Sequence, residues 1–412
     1  MNLLENIKWT AWSPRSELSP EFTIEVNKLS IKTGDNKYAY GKFLSGEVNI
    51  SGAHSIVFET SFSCVGVDAV ENSVFAMVSF YNAQKKMLER DYADVAPGGK
   101  LLRRRLDAPE NSEYTVIELG ARWCKGSSVE FSGMSLEIAD AAPPKTAVVA
   151  TTFKNRRDTL ENNLEAILAV IDKAAEANPD VILLSELVYE SCYSNELSLE
   201  ETAQEIPGKL TGTIGEYAKK HNSYIIFTMN EKENGIIYNT AVIMGRGGEI
   251  CGKYRKTHLP LSEAESGTSP GDSLQVFDLD FGRVGVIICY DQYFLENSRT
   301  LALMGAEIIF IPTMGEDELV QRAIARSNGV WVVVSGYAGA ASSRIIDPLG
   351  ETITCASGDD IAYAAATLDL NKRFFIYWMS IGDGNGEPRD LFVKERMTGV
   401  YGTLAEDSYK VK

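Results

Sequence analysis

The spacing of apolar residues changes near residue 140, and this change constrains the fold more than any other feature of the chain. Before it, apolar and polar residues alternate over short runs. Met134, Leu136 and Ile138, for example, fall on one face of an extended segment, while the residues between them are polar. Long helical patterns are absent from this region. We therefore predict that residues 1–140 form an N-terminal β-sandwich domain.

A proline-containing linker, ADAAPPKT, separates this region from a segment with a different pattern. The compact apolar run TAVVATTF predicts a strand, and Leu160, Leu164 and Ile171 recur at helical spacing in the segment after it. The run VILLS and later apolar runs predict buried strands that alternate with helices, together with hairpin-like strand pairs. Residues 145–412 are accordingly expected to form an α/β domain of layered, mixed sheets.

Charge and cysteine usage narrow the class of protein. The chain has 57 acidic and 40 basic residues, a formal net charge of −17, so neither nucleic acid nor a membrane is an expected partner. It has no run of 18 apolar residues, and its N-terminal segment lacks the apolar stretch of a signal peptide. The six cysteines are scattered and the three histidines lack metal-ligand spacing. These features indicate reduced thiols, no metal site and a cytoplasmic location.

Three reactive side chains each follow a predicted apolar strand: Glu186 in VILLSE, Lys256 in GKYRKTHLP and Cys289 in VGVIICYD. In such positions a carboxylate can act as a general base, a lysine can stabilise an oxyanion, and a cysteine near a cation or a helix N-terminus can become a thiolate nucleophile. Taken singly, each has an ordinary explanation as a loop cap, a surface charge or a core thiol. Their occurrence together favours catalysis. A Cys–His pair is not indicated, because only His258 lies in a suitable loop.

Longer motifs surround these residues. They are VILLSE, YRKTHL, SPGD followed by FGRVGVIICYD, FLENSR, SSRIIDPLG and VKERMTGVYGTL. Taken together, they resemble the nitrilase superfamily of carbon–nitrogen hydrolases over about residues 145–405. The resemblance implies a four-layer αββα sandwich and a catalytic triad of Glu186, Lys256 and Cys289. The run IARSN departs from the family's usual Arg-Ala-x-Glu-Asn pattern. This departure puts an ion pair of that helix in doubt but leaves the catalytic chemistry unaffected.

The same resemblance implies a second glutamate after the lysine motif. Glu263 has the usual offset from Lys256 and is preferred, while Glu265 fits nearly as well when counted from Pro270. The backbone N–H of Tyr290 would join Lys256 in holding the oxyanion. The implied reaction is hydrolysis of an amide-type bond through a cysteine thioester, with water as the second reactant and no cofactor.

Two functions remain open at this point. Phe294 and Glu296, which follow the CYD motif, make the chain more similar to amidase and ω-amidase-like branches than to true nitrilases. A small amide or an N-carbamoyl compound is therefore the expected substrate. The alternative is a catalytically silent scaffold or ligand-binding protein that uses the β-sandwich for binding. That sandwich resembles, in pattern, jelly-roll modules of the carbohydrate-binding kind.

The C-terminal segment, from about Arg389, carries apolar residues between charged ones. A tail of this kind needs a surface to cover, and a symmetric partner would supply it. We therefore expect a homodimer or higher homo-oligomer joined through the hydrolase domain; the alternative is that the tail folds back over its own subunit. The apolar residues are Leu391, Phe392, Val393, Met397, Val400, Tyr401 and Leu404.

Overall fold

The computed structural model describes residues 1–96, 98–192, 197–376 and 387–405. The chain divides into two compact units, one formed by Met1–Pro143 with Phe375–Lys412 and the other by Pro144–Phe374. The division after Pro143 falls inside the predicted linker. Described strands dominate the first unit, and strands alternate with helices in the second, so the predicted fold class is confirmed.

The strands of the first unit pair antiparallel in two sheets. They are β1 Trp9–Trp12, β2 Glu21–Glu25, β3 Lys28–Lys32, β4 Tyr40–Ser45, β5 Val48–Asn49, β6 Ser55–Val65, β7 Val74–Tyr81, β8 Met87–Tyr92, β9 Asp94–Val95, β10 Leu101–Asp107, β11 Tyr114–Arg122 and β12 Ser128–Ala139, with the short helix α1 Val70–Ser73 before β7. One sheet has the order β1-β4-β11-β7-β8, with β5 beside β11, and the other has the order β2-β3-β12-β6-β10-β9. Neighbouring strands that are distant in sequence, such as β3 with β12 and β4 with β11, give the Greek-key order of a jelly roll.

Alternation along these strands places the core of the first unit between its two sheets. On β4, Phe43 is buried, while Tyr40 and Lys42 are half-buried on the opposite face of the strand. Phe43 joins Phe58 and Phe80 from other strands in one apolar cluster. Burial of a side chain of this size stabilises a fold by about 1.5–3 kcal/mol.

The second unit contains two further sheets and helices α2 to α7. Its strands are β13 Thr146–Lys154, β14 Val181–Leu183, β15 Tyr224–Glu233, β16 Ile236–Met244, β17 Ile250–Arg255, β18 Thr268–Ser269, β19 Val276–Leu279, β20 Gly282–Val286, β21 Ile308–Pro312, β22 Trp331–Ser335, β23 Arg344–Ile346, β24 Thr352–Cys355 and β25 Ile361–Asp369. Its helices are α2 Leu160–Ala174, α3 Leu199–Thr202, α4 Lys209–His221, α5 Leu261–Glu265, α6 Leu295–Leu303 and α7 Glu318–Asn328. No helix in the described part of the chain has the length and apolar character needed to cross a membrane.

Three apolar clusters separate four layers in this unit. The first sheet has the order β17-β16-β15-β14-β13-β25 and the second β19-β20-β21-β22-β23-β24. One cluster, which includes Val149 and Phe310, contains side chains from both sheets. A second joins the first sheet to α2 and α4 through residues such as Ile171, and a third joins the second sheet to α6 and α7 through residues such as Ile324. This is the expected αββα sandwich.

Parallel strands lie at the centre of each sheet of the second unit. β13, β14 and β15 run parallel to one another, as do β20, β21 and β22. The carboxyl ends of parallel strands lie at one edge of a sheet, where the loops that follow can carry functional groups. Glu186 follows β14, Cys289 follows β20 and Tyr337 follows β22 at these edges.

The segment after residue 374 groups with the first unit, although we expected residues 145–412 to form one domain. Its helix α8, Pro388–Lys394, buries Leu391, which is 3% exposed, in a cluster with Phe75 and Tyr92. The Arg104 guanidinium donates to the Asp390 carboxylate at 2.7 Å. Apolar burial and a charged contact together hold this helix on the jelly roll.

Several apolar side chains between residues 397 and 404 of the C-terminal segment are exposed in a single chain. Homo-oligomerisation through this segment therefore stays a prediction, and its four exposed apolar side chains are the proposed contact surface. The exposed apolar residues are Met397, Val400, Tyr401 and Leu404.

Candidate active site

Glu186 lies in a buried pocket of hydrogen-bond donors just beyond β14. Its side chain is 2% exposed. Oε1 accepts hydrogen bonds from Asn239 Nδ2 and from Lys256 Nζ, both at 2.9 Å, and Oε2 accepts one from the Met314 N–H at 3.1 Å. Donors on both oxygens fix the orientation of the carboxylate, because rotation would break at least one charge-assisted hydrogen bond.

Lys256 follows β17 directly and lies between two carboxylates. Its side chain is fully buried, and Nζ donates to Glu186 at 2.9 Å and to Glu263 at 2.5 Å. Burial opposes the charge on Nζ, but Glu186, Glu263 and Cys289 outweigh it and raise the pKa of Lys256 above its ordinary value. Lys256 therefore stays an ammonium group at neutral pH and cannot serve as a base.

The structure brings Glu263, and not Glu265, to the lysine. Both residues belong to the one-turn helix α5, but they stand two positions apart, so their side chains leave it in different directions. Glu263 is partly buried against Lys256, whereas Glu265 is exposed. Burial raises the pKa of the Glu263 carboxyl, and Lys256 opposes that rise.

Cys289 starts a short 3-10 turn, Cys289–Tyr293, after β20. Its φ of +45° lies in the left-handed region, which costs a residue with a β-carbon about 1–2 kcal/mol. Burial raises the pKa of the Cys289 thiol, the negative charge of Glu186 adds to that rise, and Lys256 and the Thr313 hydroxyl oppose it. Lys256 thus favours the thiolate, as expected of a nearby cation, but burial and Glu186 outweigh it, so the thiol needs a base.

Tyr290 occupies the second position of the same turn. The first N–H groups of a helical turn have no partner within the turn, and the Tyr290 N–H is one of them. The Tyr290 ring packs edge-on against Tyr293 and Phe294, with centroids 5.8 and 5.5 Å apart. This aromatic packing holds the turn in place.

Asp291 is a functional candidate that the sequence interpretation missed. Fully buried, its carboxylate accepts hydrogen bonds from the Tyr254 hydroxyl at 2.7 Å, the His258 N–H at 2.9 Å and the Ile288 N–H at 3.0 Å. It thereby connects the turn that carries Lys256 to the turn that carries Cys289. The available signal was an acidic residue two positions after a cysteine that itself follows an apolar strand.

Asn239 was missed for a different reason. It lies on β16, a mostly buried strand in which an apolar residue would fit equally well, so the sequence pattern does not mark it as functional. Only its hydrogen bond to Glu186 reveals a role. Together the side chains of the site form one group with a partly buried thiol, a buried carboxylate and a buried ammonium group. Such a group can combine nucleophilic attack, proton transfer and stabilisation of negative charge.

Comparison with known proteins identifies the family. The carbon-nitrogen hydrolase family model matches residues 145–373, more than half of the chain of 412 residues. A nitrilase of Pyrococcus abyssi is 35% identical over 231 residues, which cover 52% of this chain and 87% of that protein. An omega-amidase of Homo sapiens is 32% identical over 238 residues, which cover 51% of this chain and 84% of that protein.

The fold supports the same assignment. A carbon-nitrogen hydrolase from Helicobacter pylori G27 superposes with a TM-score of 0.54, covers 64% of this chain and 99% of its own, and is 21% identical, a likeness of fold. The αββα layering, the sequence matches and the matched residue range agree. The chain therefore belongs to the carbon-nitrogen hydrolase family of the nitrilase superfamily, with an all-β unit preceding its hydrolase domain.

Proposed function

We propose that the protein hydrolyses the carbon–nitrogen bond of a small amide or N-carbamoyl compound through a thioester on Cys289. The observation that carries this proposal is the buried contact between Glu186 Oε1 and Lys256 Nζ at 2.9 Å, since the charges of both residues act on the Cys289 thiol. A base and a cation beside one thiol supply both the proton acceptor and the positive charge that acyl transfer requires.

Each group has a role in the proposed first half-reaction. The Cys289 sulfur attacks the carbonyl carbon while Glu186 takes the thiol proton. Lys256 and the Tyr290 N–H stabilise the negative oxygen of the tetrahedral intermediate. Glu186 then returns the proton to the departing nitrogen, and the carbon–nitrogen bond breaks to release ammonia or an amine. The acyl group remains on sulfur as a thioester.

The second half-reaction reverses the order of events with water. Glu186 removes a proton from water, the hydroxide attacks the thioester carbonyl, and the sulfur leaves with a proton from Glu186. The product is the carboxylic acid. No cofactor takes part in this scheme. Glu263 acts as a positioning residue, because its carboxylate accepts a second hydrogen bond from Lys256 Nζ, in addition to the one that Glu186 accepts.

The names of similar proteins support an amide as the substrate. Several similar proteins are omega-amidases, and one is a nitrilase. The run after Cys289, with Phe294 and Glu296, is the feature that favours the amidase side.

A screen for ammonia release tests the proposed function. Incubating the full chain with short amides, ω-amides, N-carbamoyl amino acids and nitriles is expected to give turnover on at least one amide or carbamoyl compound. Ammonia is the product common to these substrates, so one coupled assay compares them all. Turnover of nitriles only, or of no member of the panel, would contradict the proposal.

Alkylation separates the enzyme from a catalytically silent scaffold. Iodoacetamide is itself an amide, and we expect it to label Cys289 ahead of the exposed Cys355 at pH 7, as read by peptide mass spectrometry. Because the pKa of the Cys289 thiol is raised, its faster labelling has to come from binding of the amide and from proton transfer to Glu186.

A reagent of different size is the matched control. A maleimide attached to a long polyethylene glycol is too bulky for a small-amide site and should modify the exposed Cys355 and Cys251 first. Loss of ammonia release should follow Cys289 labelling with iodoacetamide in time. Labelling of Cys289 that lags behind Cys355 with both reagents favours the scaffold.

A further inference from the structure

The Asp291 carboxylate holds the turn that carries Cys289. Its Oδ2 accepts a hydrogen bond from the Ile288 N–H at 3.0 Å, so the side chain closes the turn on the residue directly before the cysteine. Cys289 itself has a φ of +45°. A backbone in this region persists only where surrounding contacts enforce it, and the fully buried Asp291 carboxylate supplies one such contact.

The same carboxylate holds the segment that carries Lys256. Oδ1 accepts hydrogen bonds from the His258 N–H at 2.9 Å and from the Thr257 hydroxyl at 3.1 Å, and both of these residues follow the lysine. Oδ2 accepts a further hydrogen bond at 2.7 Å from the hydroxyl of Tyr254, which lies two positions before the lysine. Asp291 therefore contacts this segment on both sides of Lys256.

The arrangement of donors requires a carboxylate at this position. Each oxygen of Asp291 accepts from one hydroxyl and from one backbone N–H, that of Ile288 or of His258. A hydroxyl can turn and become an acceptor, but a backbone N–H cannot. Asparagine has only one side-chain oxygen, so in either orientation its amide nitrogen would face one of the two N–H groups.

An aromatic contact joins the two segments independently of the carboxylate. The His258 ring stacks on the Phe294 ring, with the centroids 3.8 Å apart and the planes at 17°. Stacking of this kind does not depend on the charge of Asp291. We therefore expect the segments to stay packed when the carboxylate is replaced by an amide, while their precise separation changes.

We propose that Asp291 is a positioning residue, whose carboxylate sets the Cys289 sulfur and the Lys256 ammonium group in register with one substrate carbonyl. This inference rests on the proposed amide hydrolysis at Cys289. Attack and oxyanion stabilisation come from different segments, and a misplacement of about 1 Å between such groups can cost on the order of 10²-fold in rate. A positioning role therefore changes kcat, whereas a merely structural role changes stability alone.

Asp291→Asn in the full chain tests this role. On the best amide substrate, kcat per folded molecule should fall by about 10- to 100-fold. KM should stay within about threefold of wild type, because a fully buried carboxylate does not contact the substrate. Thermal unfolding, followed by circular dichroism on the same preparation, gives the folded fraction.

Asp180→Asn is the matched control. Asp180 also accepts a hydrogen bond from a backbone N–H, that of Val148 at 2.7 Å, and it pairs with Arg246 at 2.6 Å. It precedes β14, however, whereas Glu186 follows that strand. This variant should unfold at a lower temperature than wild type and keep the wild-type kcat. A folded Asp291→Asn variant that behaves in the same way would overturn the proposal.

Tyr254→Phe provides a second test that does not depend on the folding of Asp291→Asn. It removes one hydroxyl and leaves the ring and the other three hydrogen bonds of the carboxylate in place. Loss of one hydrogen bond of ordinary strength should lower kcat by about 3- to 10-fold. An unchanged kcat in this variant would contradict the positioning role.

Alkylation of Cys289 by iodoacetamide separates this inference from the proposed function. In Asp291→Asn, Cys289 should be labelled more slowly than in wild type, while the exposed Cys355 is labelled at an unchanged rate. That result, in a protein that hydrolyses no amide, would retain the positioning role and overturn the proposed function. Amide hydrolysis by wild type, with unchanged kcat and unchanged labelling in Asp291→Asn, would overturn the positioning role and retain the function.

Discussion

Cys289→Ala is expected to lower ammonia release from the best amide substrate by at least about 10⁴-fold, because no other described group near Glu186 can form the thioester. The fold should survive. Alanine, like cysteine, is an L-residue with a β-carbon, so the strain at φ +45° is unchanged, and loss of one partly buried sulfur costs about 1 kcal/mol.

Steady-state ammonia release and thermal unfolding, measured on the same preparation, check this expectation. Cys355→Ala removes an exposed thiol and should leave both quantities at their wild-type values. Wild-type turnover by Cys289→Ala would exclude this residue as the nucleophile. A variant that unfolds many degrees below wild type would instead show that the sulfur has a structural role.

Lys256→Met is expected to lower the free energy of unfolding by about 3–5 kcal/mol and to remove activity as well. Methionine has a similar length, so packing changes little, but Glu186 and Glu263 are left facing each other without the cation between them. Removal of an oxyanion-stabilising charge costs a further factor on the order of 10²–10³ in kcat.

The loss of stability should depend on pH with a definite sign. Burial already raises the pKa of Glu263 and Lys256 opposes that rise, so removing the lysine raises this pKa further. A group with a raised pKa in the folded state contributes stability at low pH, which is lost as pH rises through that pKa. Urea unfolding should therefore show a smaller difference from wild type at pH 5 than at pH 8.

Two further variants test the electrostatic explanation of the stability lost in Lys256→Met. Lys220→Met removes an exposed lysine that pairs with Asp172 at the surface, and it should change stability little. The double variant Lys256→Met with Glu263→Gln removes one of the two opposed carboxylates. It should regain part of the lost stability and none of the activity. Equal stability of the single and double variants would contradict the electrostatic explanation.

Residues at strand ends could be found from the sequence because local pattern determines where a strand stops. Glu186 and Cys289 each follow an apolar run that becomes a strand in the structure, and Lys256 follows the more polar strand β17. Contacts between distant segments could not be found in this way. Asn239 meets Glu186 across 53 positions and Tyr254 meets Asp291 across 37, and no single-segment pattern reports either pairing.

The choice between Glu263 and Glu265 shows a similar limit at short range. Both residues satisfy the spacing in the sequence, and only the direction in which α5 presents its side chains separates them. The C-terminal segment shows the limit at long range. Its apolar residues indicated a surface to be covered, but the identity of that surface depends on Phe75 and Tyr92, some 300 positions earlier.

The docking of α8 on the jelly roll affects the order in which the chain can fold as it is synthesised. Asn72 and Lys394 are hydrogen-bonded across 322 positions, and Arg104 and Asp390 across 286. The ribosome must therefore complete the whole hydrolase domain before the first unit can receive its last element. Until then, the apolar surface at Phe75 and Met77 is without Leu391. The first unit thus receives α8 only after the hydrolase domain has been synthesised, and in the interval its uncovered apolar surface is open to association.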